Sequence, residues 1–224
     1  MTRLPAAALA LLAAAIASAG VHAPGWFARG SSLLLYDSSG AIAVELPLSS
    51  GGPNGRSVIG GAAPNGRFAW TLERGASRGL RFYGSDGKPL WSLAQAAAPD
   101  SGPAVAFSND GETLLLALRS RRGWTAQVRG YLGNVLYSIG PVPQLESIAL
   151  TGNGRYATAR WRAPGRGATH TFVDLALKLR RDIPSDELTL GRASVDADGR
   201  VVSGGKVVFR FSGLPAEPDS GPKS

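Results

Sequence analysis

Pro64-Asn65-Gly66-Arg67-Phe68-Ala69-Trp70 is a polar turn running into an alternating strand, and the chain repeats this pattern three more times. The copies are Asn109-Asp110-Gly111-Glu112, Gly152-Asn153-Gly154-Arg155 and Ala197-Asp198-Gly199-Arg200. Their glycines, Gly66, Gly111, Gly154 and Gly199, lie 45, 43 and 45 residues apart. A period of this length marks an array of supersecondary units, each unable to bury its apolar faces alone. The Asn-Gly pair supplies the positive φ that a tight hairpin needs. After it, Phe68, Trp70 and Leu72 alternate with Arg67, Ala69, Thr71 and Glu73, the period of a strand.

Outward from that turn the unit closes on both sides. Ser57 to Ala62 precedes it, and Leu80 to Tyr83 follows a loop carrying Arg74 and Arg78. A Ser85-Asp86-Gly87 turn then leads to Pro89–Leu93, giving four predicted strands. The second unit has Ala104 to Phe107, Thr113 to Leu118, Thr125 to Tyr131 and Val135 to Ile139. The third has Ser147 to Leu150, Tyr156 to Trp161, Thr169 to Val173 and Leu177 to Ile183. That last hairpin lacks glycine, and Asp174 to Leu179 reads equally as a helical turn. A fourth unit, Leu190 to Val195, Val201 to Ser203 and Lys206 to Phe211, is incomplete. At the other end, Leu33 to Tyr36 and Ala41 to Leu48 form a hairpin about Asp37-Ser38-Ser39-Gly40, after a lead-in that carries Trp26 and Phe27.

Leu114, Leu115 and Leu116 in succession require a sheet that is apolar on both faces. Stacking such sheets radially is the propeller solution. The residues resemble the secreted bacterial β-propellers of the WD40-like, YVTN or TolB-like kind, with Ser108-Asn109-Asp110-Gly111 as the nearest match to their blade turn. The Trp-Asp dipeptide is absent. The resemblance spans roughly residues 31 to 213 and implies an all-β fold. We expect a small propeller of about four four-stranded antiparallel blades, the last closed by the N-terminal strands. An open arc completed by dimerisation, or a β-sandwich of the same hairpins, remains open, as does the choice between monomer and dimer.

Arg3 followed by an apolar run from Leu4 to Ala17, with Ala17-Ser18-Ala19 as a small-x-small site, predicts a signal peptide over 1–19 cleaved after Ala19. A lead-in of 20–30, a propeller domain of 31–213 and a disordered tail of 214–224 complete the division. The expected location is periplasmic or extracellular, with no transmembrane segment after cleavage. The sequence holds 30 glycines and no cysteine, so it favours turns over helices and excludes disulfides, thiolate metal sites and thiol nucleophiles.

Twenty-four Lys and Arg against 16 Asp and Glu give a formal charge of +8, nearly all of it arginine. In a propeller the loops between second and third strands share a face with the links between blades, while the Gly turns occupy the opposite face. The first set holds Arg74 and Arg78, then Arg119, Arg121 and Arg122, then Arg160, Arg162 and Arg166, with Glu73 as the adjacent acid. Such a face attracts an anionic surface component or an acidic envelope protein. Solubilising arginines would give the same pattern, and secretion argues against nucleic acid as a partner in vivo.

Catalytic signals are thin. His22 and His170 have no repeated partners, and Asp196-Ala197-Asp198-Gly199 lacks the remaining ligands of a calcium loop. Trp70, Trp91, Trp124, Tyr131, Tyr137 and Trp161 are expected to pack between blades. The sequence therefore reads as a non-enzymatic binding or scaffold module, with no catalytic residue, metal or cofactor assigned. The alternatives are a propeller-fold hydrolase or lyase, which needs Glu112, Asp174 or Glu146 to converge, and a structural subunit of a larger envelope assembly.

Overall fold

The computed structural model describes residues 24–49, 57–74, 79–94, 96–99 and 103–211, with Arg74 by its backbone alone. The expected signal segment 1–19, His22, Arg78 and the expected tail 214–224 lie outside the described residues. Among the described residues five antiparallel sheets follow one another along the chain. Blade 1 holds β1 (Gly25–Arg29), β2 (Ser32–Tyr36) and β3 (Ile42–Pro47). Blade 2 holds β4 (Ser57–Ala62), β5 (Ala69–Arg74), β6 (Gly79–Tyr83) and β7 (Pro89–Leu93). Blade 3 holds β8 (Val105–Phe107), β9 (Thr113–Ser120), β10 (Gly123–Gly130) and β11 (Val135–Val142). Blade 4 holds β12 (Gln144–Leu150), β13 (Tyr156–Arg162), β14 (Ala168–Asp174) and β15 (Leu179–Pro184), and blade 5 holds β16 (Ser194–Val195), β17 (Arg200–Ser203) and β18 (Lys206–Arg210).

The fold is an all-β stack of propeller blades, and its three complete blades fall where the repeat places them. One detail differs from the expectation. The chain ends do not share a blade among the described residues: the first and last sheets are separate and three-stranded. The reason lies in Gly25–Arg29, read from sequence as lead-in, which pairs along its whole length with Ser32–Tyr36. With that strand the N-terminal hairpin becomes a blade of its own, tied to blade 2 by the hydrogen bond from the Trp26 amide to the Gly66 carbonyl.

The core is divided into slabs between neighbouring blades. Trp26, Leu33 and Leu35 meet Ala69 and Tyr83 between blades 1 and 2. Phe68, Trp70, Leu72 and Phe82 meet Leu114 and Leu116 between blades 2 and 3. Leu115 and Ala117 meet Leu145, Ala157 and Ala159 in the next slab, and Tyr156 and Phe172 meet Val201 and Phe209 in the last. Leu114, Leu115 and Leu116 are each 0% exposed because successive side chains enter different slabs. Full burial of each contributes about 1.5–3 kcal/mol. The aromatics serve these slabs: Phe68 and Tyr131 lie 5.4 Å apart across blades 2 and 3, and the Trp91 indole donates 2.9 Å to the Tyr131 carbonyl.

The repeated turns also join blade to blade. The Trp26 amide donates to the Gly66 carbonyl at 2.7 Å, and the Asn109 amide to the Gly152 carbonyl at 2.7 Å. Between those two links the Asn65 side-chain amide donates to the Asp110 carbonyl, and further along the Asn153 amide donates to the Ala197 carbonyl at 2.8 Å. In both asparagines the carbonyl oxygen accepts a local amide, from Arg67 at 3.0 Å and Arg155 at 3.1 Å. One side chain thus folds its own turn and clasps the next. Asp110 accepts from Glu112 in the same local way but has no donor when ionised, and there the backbone of Asn109 makes the link instead. Gly111 sits at φ 70°, and a Cβ on it would lie 2.9 Å from the Phe68 ring and 3.0 Å from the Asn65 oxygen. Glycine is required there for conformation and for the approach of the neighbouring blade.

The hairpin in blade 4 that lacks glycine is a strand pair: β15 pairs with β14 from Thr169 to Asp174. Lys178 takes the positive φ, 54°, that glycine takes elsewhere. Asp174 holds that turn by accepting the amides of Ala176 at 2.9 Å and Leu177 at 3.1 Å.

Asn65→Asp and Asn153→Asp keep the local acceptor and remove the donor to the next blade. Each is expected to cost about 1 kcal/mol, and the pair to add, since the sites belong to separate contacts. Gly111→Ala is expected to cost about 1–3 kcal/mol through strain alone, and more through the contact with Phe68. Urea denaturation monitored by tryptophan fluorescence measures all three.

Candidate binding face

Sequential antiparallel order puts the Gly66, Gly111, Gly154 and Gly199 turns at one end of the blades. The loops from second to third strand and the links between blades lie at the other end, the link face. Arg74 closes β5 at this face, but its side chain and all of Arg78 lie outside the described residues. The remaining six candidate arginines fall into two groups with different surroundings.

Arg121 and Arg122 form the tip of the β9–β10 hairpin, the two residues between Ser120 and Gly123. The Ser120 hydroxyl accepts the Arg122 amide and donates to the Gly123 carbonyl, both at 3.2 Å, which fixes the tip. Gly123, at φ 118°, permits the return: a Cβ there would lie 2.6 Å from the Val142 carbonyl oxygen. Arg119 faces Trp124 across the hairpin, its guanidinium 5.4 Å from the ring centroid. All three arginines are exposed, and none makes an ion pair with a carboxylate among the described residues. A guanidinium lying on an indole keeps its N–H fork available while losing part of its conformational freedom.

In the blade 4 group one carboxylate is shared by two of the three arginines. Arg160 and Arg162 stand two apart on β13, so both side chains share a face. Their Nε atoms lie 3.0 and 2.9 Å from the two oxygens of Glu146. Glu146 occupies a register shift in β12, where Leu145 pairs with Trp161 and Ser147 with Arg160. The bulge lets one carboxylate reach both arginines. The sequence places Glu73 as the acid beside these loops, yet Glu146 is the one that binds two of them. Its signal was a carboxylate in a strand opposite Arg-x-Arg, legible only once the register is known. Arg166 remains exposed in the Ala163–Gly167 loop, where its amide donates 3.1 Å to the Ala163 carbonyl. The link to blade 5 adds exposed Asp186 and Glu187 to this face, so its positive character is concentrated on the blade 3 hairpin.

The carboxylates whose convergence would make a hydrolytic site are held apart by different arginines. Glu112 meets Arg67 at 3.5 Å on the turn face, Glu146 meets Arg160 and Arg162 on the link face, and Asp174 meets Arg155 at 2.9 Å. Among the described residues no three His, Cys, Asp or Glu side chains gather as a metal site. His170 is buried on β14, with Nε2 3.1 Å from the Gly191 carbonyl. Burial pushes its pKa down, so the neutral ring donates from Nε2 and ties the link before blade 5 to blade 4. Asp174 has 0% side-chain exposure. Burial raises its pKa, but hydrogen bonds from Arg155, Leu177 and Ala176 outweigh burial and hold it below the ordinary carboxylate value.

Stacked four-stranded blades carrying an arginine-tipped hairpin define a protein of the β-propeller class. No protein-family model matches the chain, and no curated protein matches it. Among solved structures, Kuenenia stuttgartiensis hydrazine synthase is similar over 70% of this chain and 44% of that one, at 15% identity and TM-score 0.44. The β-propeller domain of Myceliophteria thermophila Cps50 (Swd1) is similar over 63% of this chain and 41% of that one, at 15% identity and TM-score 0.43. A prolyl endopeptidase is similar over 76% of this chain and 28% of that one, at 14% identity and TM-score 0.47. The chain spans less than half the length of each of these three.

Because the folded-state pKa of Asp174 is depressed, its contribution to stability is present above the unfolded value of about 3.9 and is lost as pH falls through the folded value. Asp174→Asn is expected to destabilise the protein by about 2–3 kcal/mol at neutral pH, because Arg155 loses a buried charged partner. The gap between variant and parent is expected to narrow as pH falls below about 4. Urea unfolding at a series of pH values tests the sign.

Proposed function

We propose that this protein is a non-enzymatic binding module of the cell envelope, secreted or periplasmic, that recognises an anionic partner through the blade 3 hairpin on its link face. The observation that carries the reading is Arg119, Arg121 and Arg122 exposed together on one short hairpin without carboxylate partners among the described residues. Arg166 extends the surface toward blade 4. Arg160 and Arg162 contribute less than their number suggests, since Glu146 holds both. A guanidinium cluster of this kind takes carboxylate or phosphate oxygens by paired N–H donors, and its long-range field raises the rate of encounter.

The test separates position from net charge. Arg119, Arg121 and Arg122 are changed together to Ala, and a control protein carries Arg67→Ala, Lys88→Ala and Arg200→Ala. Those three control residues are exposed or half-buried at the turn end; each pairs with an acid, and Arg67 also lies over the Phe68 ring. Both variants lose three charges. On immobilised heparin the link-face variant is expected to elute at distinctly lower salt than the parent, and the control close to the parent. Equal elution of the two variants shows that net charge alone governs binding and removes the blade 3 hairpin from the account.

A further inference from the structure

Between blades 1 and 2 the stacking leaves a cleft of about 380 Å³, lined by Leu46, Pro47, Val58, Thr71, Arg81 and Ser92 among others. Its origin is visible by comparing the blades with one another. On the face that each blade turns toward its predecessor, one cross-strand row runs through the fifth residue after the turn glycine. In blade 3 that row is Val105, Leu116, Gln127 and Ser138, and in blade 4 it is Ile148, Ala159, Thr171 and Asp182. In blade 2 it is Gly60, Thr71, Arg81 and Ser92. The two inner positions, apolar in blades 3 and 4, become glycine and threonine; Leu33 and Leu48 fill the space over Gly60, so the cleft opens over Thr71. Two residues further along the strand, Leu118 and Trp161 are replaced by Glu73. Among the described residues blade 1 has three strands, and its last, β3, supplies Leu46 and Pro47 as the facing wall of the cleft.

The polar ends of these rows differ in the same way. In blade 3, Gln127 donates to Ser138 at 3.3 Å and accepts from Arg129 at 2.8 Å. In blade 4, Thr171 donates to Asp182 at 2.7 Å and accepts from Trp161 at 3.0 Å, while Arg180 binds Asp182. Both rows are satisfied internally. In blade 2 the Thr71 and Tyr83 hydroxyls lie 3.4 Å apart, and among the described residues neither the Arg81 guanidinium nor the Ser92 hydroxyl has a side-chain partner. The cleft therefore presents an unpaired guanidinium and two hydroxyl donors beside the apolar wall of Leu46, Pro47 and Val58. Its volume is that of a pocket for a small organic molecule.

We propose that this inter-blade cleft is a second binding site, separate from the arginine hairpin, for a small monocarboxylate with an apolar body. The planar fork of Arg81 receives the carboxylate, the Thr71 and Ser92 hydroxyls donate to its oxygens, and the hydrocarbon part lies on Leu46, Pro47 and Val58.

Titration of the ¹⁵N-labelled protein with hexanoate, followed by amide chemical shifts, tests the proposal, with hexanamide and inorganic phosphate as parallel probes. Hexanoate is expected to give saturable shifts at Val58, Thr71, Arg81 and Ser92, while hexanamide and phosphate bind at least about tenfold more weakly. Arg81→Gln removes the charge from an exposed side chain, and Thr71→Leu fills the cleft with the residue that blade 3 carries at the same position. Each is expected to weaken hexanoate at least about tenfold with the fold retained. The proposal is overturned by absence of saturable shifts in the parent, by phosphate binding as tightly as hexanoate, or by unchanged hexanoate affinity in both variants.

Discussion

The hydrogen bonds from turn to turn are the constraint on which the remaining structure depends. A single blade has two apolar faces, and its own ladder bonds say nothing about the angle at which the next blade lies. The links from Trp26 to Gly66, Asn65 to Asp110, Asn109 to Gly152 and Asn153 to Ala197 fix that angle at one end of every blade interface. Once it is fixed, Leu114 and Leu116 enter one slab while Leu115 enters the next. The alternation of Asn and Asp before the glycine has a direct consequence: an asparagine clasps through its side chain, whereas at Asp110 the clasp passes to the backbone.

Anchoring one end of the stack leaves the other end free to vary. The link face carries a fixed arginine-tipped hairpin in blade 3, two arginines sharing one carboxylate in blade 4 and exposed acids in the following link. Charge on this face therefore follows from local pairing and not from the number of arginines. Buried Asp174 shows the opposite use of a charge. It replaces the glycine logic of the other outer hairpins by accepting two backbone amides and a guanidinium, so a strand pair forms where the sequence reads equally as a helical turn.

Asymmetry among the blades carries as much information as their repetition. The interface between blades 1 and 2 has Trp26 buried to 1% exposure at its inner end, with its indole donating 2.8 Å to the Gly84 carbonyl. Farther along the interface Thr71 stands where blades 3 and 4 carry Leu116 and Ala159, and a cleft opens between it and the β3 wall of blade 1. Packing is therefore dense where the array is clasped and looser over Thr71, away from the clasped turns.

The period of 43 to 45 residues, the turn glycines and the alternation within each strand were legible in the sequence, and with them the all-β class and the three complete blades. These features are encoded within a few consecutive residues, since φ at a glycine and the direction of neighbouring side chains are local properties. Three others depended on the tertiary structure: the strand at Gly25–Arg29, the capture of Arg160 and Arg162 by Glu146, and the polar row of blade 2. The first needs a partner strand before it differs from an irregular segment. The second turns on a one-residue bulge that decides which side chains face each other. The third exists only as a comparison of equivalent positions in neighbouring sheets. Contacts such as Asn65 with Asp110 join residues 45 apart, and no local pattern specifies which member of a repeat will be paired, neutralised or left open.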